Sequence, residues 1–224
     1  MTTAQSESQR LYDEMIAVHT VVRRGAAMLK AALDLPPATA VEVDTCVGLG
    51  RWLVGYIHQH QRNEADILWQ PLAAASPADE CELHDLTLQH IQIDRELDRL
   101  ARRLERLTER CTTPGRPDRE AVAAASAALD AASRTLVDHL DEEEALLKAL
   151  FPLLDEPVIR TLRAAAVSKA PGTRPDLVLG LMGDPTPTVG YAAMFSSIPF
   201  RTRALRPLLV ARYHSSKRRL GLAA

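Results

Sequence analysis

The sequence predicts an all-α fold, an up-down-up-down four-helix bundle followed by a C-terminal helical extension. Three observations lead there. Apolar residues make up 46% of the chain, much of it alanine and leucine, and aromatic residues only 4%, which favours helix over strand. Four long stretches carry apolar residues at intervals of three and four, the period of a helix with one buried face. Proline and glycine punctuate the chain around them, as helix ends and turns require.

The first helix is expected from about Ser6 to Leu33, with Leu11, Met15, Val18, Val22, Ala26 and Leu29 on one stripe. Pro36-Pro37 ends it. The second runs from about Val43 to Trp69 and is closed by Pro71. The third opens at Ser76-Pro77-Ala78-Asp79, where serine suits a cap, proline the first helical position and aspartate the first turn. It continues to about Thr108 on a stripe of Leu83, Leu86, His90, Ile93, Leu97, Leu100, Leu104 and Leu107. After a turn at Thr113-Pro114-Gly115, the fourth runs from about Asp118 to Leu150, with Leu136, His139, Leu140, Glu143 and Leu147 on its stripe.

The bundle is expected over residues 6–155 and the extension over 156–224. Within the extension, Val158 to Val167 reads as a short helix. Lys169 to Val189 reads as loop because it holds four prolines and three glycines. Pro199 to Leu222 reads as a last helix, basic through Arg201, Arg203, Arg206, Arg212, Lys217, Arg218 and Arg219. It is expected to cover one end of the bundle, with contact to anionic lipid or an acidic partner as the other reading.

Composition narrows the function. A net charge of -2 gives the whole chain no electrostatic case for nucleic acid. Cys46, Cys81 and Cys111 are widely spaced and form no CxxC pair, so they read as reduced thiols of a cytoplasmic protein. Charged residues near the N-terminus argue against a signal peptide, and no uncharged apolar run is long enough to span a membrane.

The chemistry lies in polar residues that interrupt apolar stripes. His60 is followed four residues later by Glu64, and His139 by Glu143. Residues four apart on a helix point the same way. His19 and His90 stand alone in the other two helices, and His90 falls between Leu86 and Ile93 on a core-facing stripe. A bare glutamate in such a core costs several kcal/mol of desolvation or takes up a proton, and metal binding removes that cost. Imidazole and carboxylate together suit iron or zinc. His58 and His84 are expected on the surface, His214 in the basic tail, and Trp52 and Trp69 in the packing of the bundle.

These residues resemble the hemerythrin-like (HHE cation-binding) family. The resemblance rests on His19 in VHTVVRR, HQRNEADILWQPL from His60, His90 in LQHIQIDREL and HLDEEEALLKALFPLL from His139, over about residues 8 to 155. It departs from the oxygen carriers of that family, whose third helix has HxxxH: Leu86 stands at the first of those positions here. Their last helix places its carboxylate five residues after the histidine, where this chain has Glu144, but the four-residue spacing to Glu143 resembles the non-carrier members.

The resemblance implies two non-haem iron ions. Glu64 and Glu143 would bridge them, with Glu144 the alternative to Glu143. His19, His60, His90 and His139 would be terminal ligands. One histidine fewer leaves a more open coordination sphere, suited to binding or reacting with oxygen, hydrogen peroxide or nitric oxide, including catalase-like disproportionation. The alternative class is a non-enzymatic, iron-responsive interaction or sensor module. A plain bundle with zinc is the third. Tyr56, one turn before His60, is the candidate catalytic donor, its other reading being a core tyrosine. The chain is expected to act as a monomer or weak dimer.

Overall fold

Three of the four long helices start at side chains that cap them. The computed structural model describes residues 5–35, 39–110, 118–169 and 174–222. Ser6 accepts from the Gln9 amide at 3.2 Å and opens α1, Glu7–Asp34. Thr39 and Glu42 form a reciprocal capping box at the start of α2, Ala40–Asn63. Such caps each contribute about 1 kcal/mol. A π-helical turn, Glu64–Leu68, joins α2 to α3, Trp69–Ala75. A 3₁₀ turn at Pro77–Asp79 leads into α4, Glu80–Arg110. Asp118 accepts from the Glu120 amide and opens α5, Arg119–Leu150.

The four long rods close into a ring, α1 against α2 and α5, and α4 against α2 and α5. The up-down-up-down bundle is therefore present, and the described residues contain helices and no strand. Two details differ from the sequence reading. Ser76 does not cap α4, because its hydroxyl bonds the Asp79 carboxylate at 2.5 Å within the 3₁₀ turn. The second rod is not uniformly α-helical, since the Trp69 amide reaches back five residues to the Glu64 carbonyl. Pro36-Pro37, Cys111 and the Thr113-Pro114-Gly115 turn lie outside the described residues.

The core falls into two apolar clusters. One runs through Val21, Leu29, Leu53, Ile57, Ile93, Leu97, Leu136 and Leu140. The other gathers Leu11, Met15, Leu68, Leu72, Leu86, Leu147 and Phe151. On each of the four rods, the histidines and glutamates singled out above fall within about a turn of the crossing between clusters. They form a polar layer enclosed by hydrocarbon on both sides.

The extension packs onto α1 and α2. Helix α6, Glu156–Ser168, buries Ile159 and Leu162 and lies against α1 and the π-helical turn. Arg163 grips Glu14 through two bonds of 2.7 Å, and Lys169 reaches Asp66 at 3.0 Å. Residues 169–189 are not all loop: Pro175–Gly183 form helix α7, which buries Leu177, Leu179, Leu181 and Met182. Pro175 starts this helix rather than breaking it, because the first turn needs no N–H from it. Gly180 is required by packing, since a Cβ there would lie 2.1 Å from the Tyr213 ring.

Tyr191–Ser197 form α8. The expected last helix is split into α9, Phe200–Ala204, and α10, Arg206–Arg219. Pro207 has no amide to continue the ladder and suits the start of a new helix instead. Leu209 and Tyr213 of α10 are buried, and α10 packs on α7 and α2. The terminal segment, expected over one end of the bundle, packs on it through α2 and α7.

Candidate metal centre

Each rod contributes to the polar layer. Helix α1 supplies His19, α2 supplies His60, the π-helical turn supplies Glu64, α4 supplies His90 and α5 supplies His139 and Glu143. All six are buried, with His19 and Glu143 at 0% exposure. Glu64 Oε1 lies 2.7 Å from His60 Nε2 and Glu64 Oε2 lies 3.4 Å from His90 Nε2. Glu143 Oε2 lies 3.5 Å from both His19 Nε2 and His139 Nε2. Each carboxylate therefore faces one histidine on either side. The donor atoms form two groups, each within 4.8 Å: His19, His60, Glu64 and Glu143, and Glu64, His90 and His139. Glu64 belongs to both.

The angles matter as much as the distances. His60 Nε2 and Glu64 Oε1 are close, yet neither makes a hydrogen bond, nor do His19 Nε2, Glu64 Oε2 or the two Glu143 oxygens. Leaving a buried polar atom unpaired costs about 1–3 kcal/mol. Six such atoms in one layer are costly unless a cation takes their lone pairs. His90 Nε2 and His139 Nε2 are 3.1 Å apart. Two nitrogens each about 2.1 Å from a shared ion, at a right angle, would be separated by about 3 Å. The residues present fit divalent metal ions of the iron or zinc type.

Electrostatics agree. Without metal, burial pushes the Glu64 carboxyl up to about 8. Burial and then the neighbouring Glu64 charge push Glu143 to about 8. Burial lowers all four imidazoles, His90 to about 4 and His139 to about 2. The histidines are therefore neutral, the form that binds metal, and cation binding would displace protons from the carboxyls.

Outside this layer, two histidines are held from behind. Glu144 Oε1 lies 2.9 Å from His19 Nδ1. Burial would raise Glu144, but hydrogen bonds from His19 and Arg23 outweigh it and hold the carboxyl below its ordinary value. A carboxylate only accepts, so Nδ1 of His19 carries the proton and Nε2 presents its lone pair inward. Arg23 braces Glu144 and reaches Asp141 at 2.6 Å. On the other side, His139 Nδ1 lies 2.8 Å from Gln89 Oε1, while Gln89 Nε2 donates to Glu142 at 2.6 Å. The carboxylate of Glu142 fixes which end of that amide faces His139.

The sequence-predicted residues are thus largely brought together. The structure places Glu143 among the donor atoms and Glu144 behind His19. Tyr56 is buried in the apolar core beside Trp52, ring centroids 5.3 Å apart. Burial pushes its hydroxyl pKa well up, so it stays protonated. His84 is exposed, and His58 is partly buried, 2.9 Å from Asp94. Trp69 packs against the layer itself, its ring 6.0 Å from that of His90. Sequence reasoning missed Gln89 and Arg23. Only Arg23 left a trace, standing four residues after His19 and so on its face.

With the geometry in place, the comparisons agree. The family model described as the Hemerythrin HHE cation binding domain matches residues 10–154, well over half of the chain. The chain belongs to that family. It is a hemerythrin-like metal-binding domain with donors capable of coordinating iron-type ions. No curated protein and no solved structure matches the chain in the other two comparisons.

Proposed function

We propose that this chain is a non-haem di-iron protein that binds or reacts with oxygen, hydrogen peroxide or nitric oxide, with peroxide disproportionation as the candidate reaction. The observation that supports it most is the sharing of Glu64 by both donor groups, with Glu143 facing a histidine of each. One carboxylate common to two sites is the arrangement that holds two cations side by side. In this reading His19 and His60 would hold one ion and His90 and His139 the other, with Glu64 and Glu143 as the carboxylates available to both. Two iron ions would supply Lewis acidity and electrons for a small oxidant or nitric oxide.

The remaining residues shape the surroundings. Leu86, 2% exposed, stands one turn before His90 and offers no donor, so a coordination position there would be left for a small ligand. The apolar clusters above and below keep bulk water away. Tyr56, protonated at neutral pH and one turn before His60, is the residue assigned in this reading to donate a hydrogen bond toward a bound ligand.

One observation favours the sensor reading as a second possibility. Glu64 opens the π-helical turn on which α6 packs, and Asp66 in that turn holds Lys169. Metal occupancy at Glu64 is thus linked mechanically to the extension.

Metal analysis and absorption of the iron-loaded chain test the reading. Two irons per chain, a near-ultraviolet band and peroxide consumption are expected. Two irons with a nitric oxide response but no turnover would favour the sensor. A single ion per chain, or zinc alone, would overturn the di-iron assignment.

A further inference from the structure

Charge is unevenly divided along this chain. Residues 185–224 hold seven lysines and arginines and no acidic residue, so the remaining 20 basic and 29 acidic residues all precede them. Of the seven, two meet a carboxylate among the described residues: Lys217 at 2.8 Å from Asp184, and Arg212 at 4.0 Å from Asp176. Arg203 and Arg206 lie over the rings of Phe200 and Phe195 instead, and Arg206 donates to the Tyr191 hydroxyl.

Large apolar side chains are exposed in the same place. Phe200 is 75% exposed, Leu205 52% and Leu208 59%, and residues 204–208 are exposed without a break. At about 100° per residue, Leu208, Arg212, Ser215, Ser216 and Arg219 fall on one stripe of α10 that continues from Leu205. The polar part of that stripe lines a cleft of about 490 Å³ between α10 and α2, which Arg174 also lines. Asp176 is buried and takes Arg174 through bonds of 3.0 and 2.8 Å. Arg174 itself sits in the left-handed region, φ 55°, a conformation that the surroundings must enforce. Asp176 thus sets two guanidinium groups at the cleft. Against three arginines the cleft has Asp176 and Asp44, which leaves it positive.

We propose that this edge of the extension docks on an anionic lipid surface. Phe200, Leu205 and Leu208 enter the boundary between headgroups and acyl chains. The arginines meet lipid phosphates, and the cleft takes one headgroup. The acidic remainder of the chain is repelled by the same surface, which fixes the orientation. Nucleic acid or an acidic protein would satisfy the charge, but neither offers a hydrocarbon boundary to three exposed apolar side chains. No described helix is long and apolar enough to cross a membrane, so the contact is peripheral. The inference uses no residue of the metal layer and stands apart from the di-iron reading.

Sedimentation of the full chain with phosphatidylcholine vesicles, with and without phosphatidylglycerol, tests it. Binding is expected with phosphatidylglycerol, weakening as salt rises, and not with phosphatidylcholine alone. Replacing Arg201, Arg212 and Arg219 by Gln should weaken it about a hundredfold, at roughly fivefold per arginine. Phe200→Ser with Leu205→Ser and Leu208→Ser should weaken it at least about tenfold. All six side chains are exposed, so helicity and metal content should not change in either variant. Absence of binding to the mixed vesicles, or equal binding to both compositions, would overturn the proposal. So would a serine variant that binds as well as the parent, which would mark the edge as a polyanion site for nucleic acid or an acidic protein.

Discussion

The metal layer of the bundle and the polar contacts of the extension treat buried charge in opposite ways. In the layer, the carboxyl groups of Glu64 and Glu143 have no hydrogen bond of ordinary geometry. In the extension, Asp176 is also nearly closed to solvent, yet Arg174 satisfies it through its own guanidinium. Asp184 is likewise held by Lys217 and the Tyr213 hydroxyl, both at 2.8 Å. One region is complete within the chain and the other is not. The extension therefore depends on pH and salt for its polar contacts, whereas the unpaired donor atoms of the layer suit a cation from outside.

The largest effect that would break this comparison is at Glu64, the donor shared by both groups. Glu64→Ala removes a ligand from each site at once, and bound metal is expected to fall from two ions to less than one per chain. The parent should gain about 2.7 kcal/mol from metal held at a hundred times its dissociation constant. The variant should show no such gain in melting experiments with and without metal. A variant that keeps two ions would mean that Glu64 is not the bridge.

A smaller effect is expected one shell out. Glu144→Gln keeps the size of the side chain but removes the charge that His19 and Arg23 share. Partners behind a ligating histidine are worth about 10–100-fold in metal affinity, so competition with a chelator should show a loss near the lower end of that range. Asp141→Asn touches the same arginine from an exposed position and should change affinity little. Equal losses in both would show that the arginine's charge network, and not the orientation of His19, sets affinity.

The same contrast explains what could be read from sequence. The four long helices and the six donor residues were legible because they break one-dimensional rules: His90 interrupts a leucine stripe, and Glu143 sits between Leu140 and Leu147. Helix α7 was not, because Pro175 and Gly180 look like breakers until Tyr213 arrives from thirty-three residues further along the chain to need the glycine. The π-helical turn left no mark, since one extra residue in a helical ladder changes no residue type. Gln89 reads as an ordinary surface amide, and only the approach of α5 gives it His139 to orient. Side chains that break the apolar pattern of their own helix are visible in sequence, and those whose role appears only when another helix arrives are not.

The smallest effect sharpens the other half of the comparison. Hydrogen bonding from Lys217, and then from Tyr213, outweighs burial and holds the Asp184 carboxyl below its ordinary value. A carboxyl whose folded pKa is depressed contributes stability above its unfolded value, about 3.9, and loses it as pH falls through the folded pKa. Asp184 is partly exposed, so solvent screening keeps its contribution to about 1 kcal/mol or less. Asp184→Asn should therefore lower the stability of the α7–α10 contact slightly at pH 7. The difference between variant and parent should shrink at low pH, as pH falls through the folded pKa, which lies below the ordinary value of about 3.9. Amide exchange in α7 and α10 at the two pH values measures this directly, and metal content should be untouched. A variant that alters iron binding at pH 7 would show that the α7–α10 contact and the metal layer are coupled.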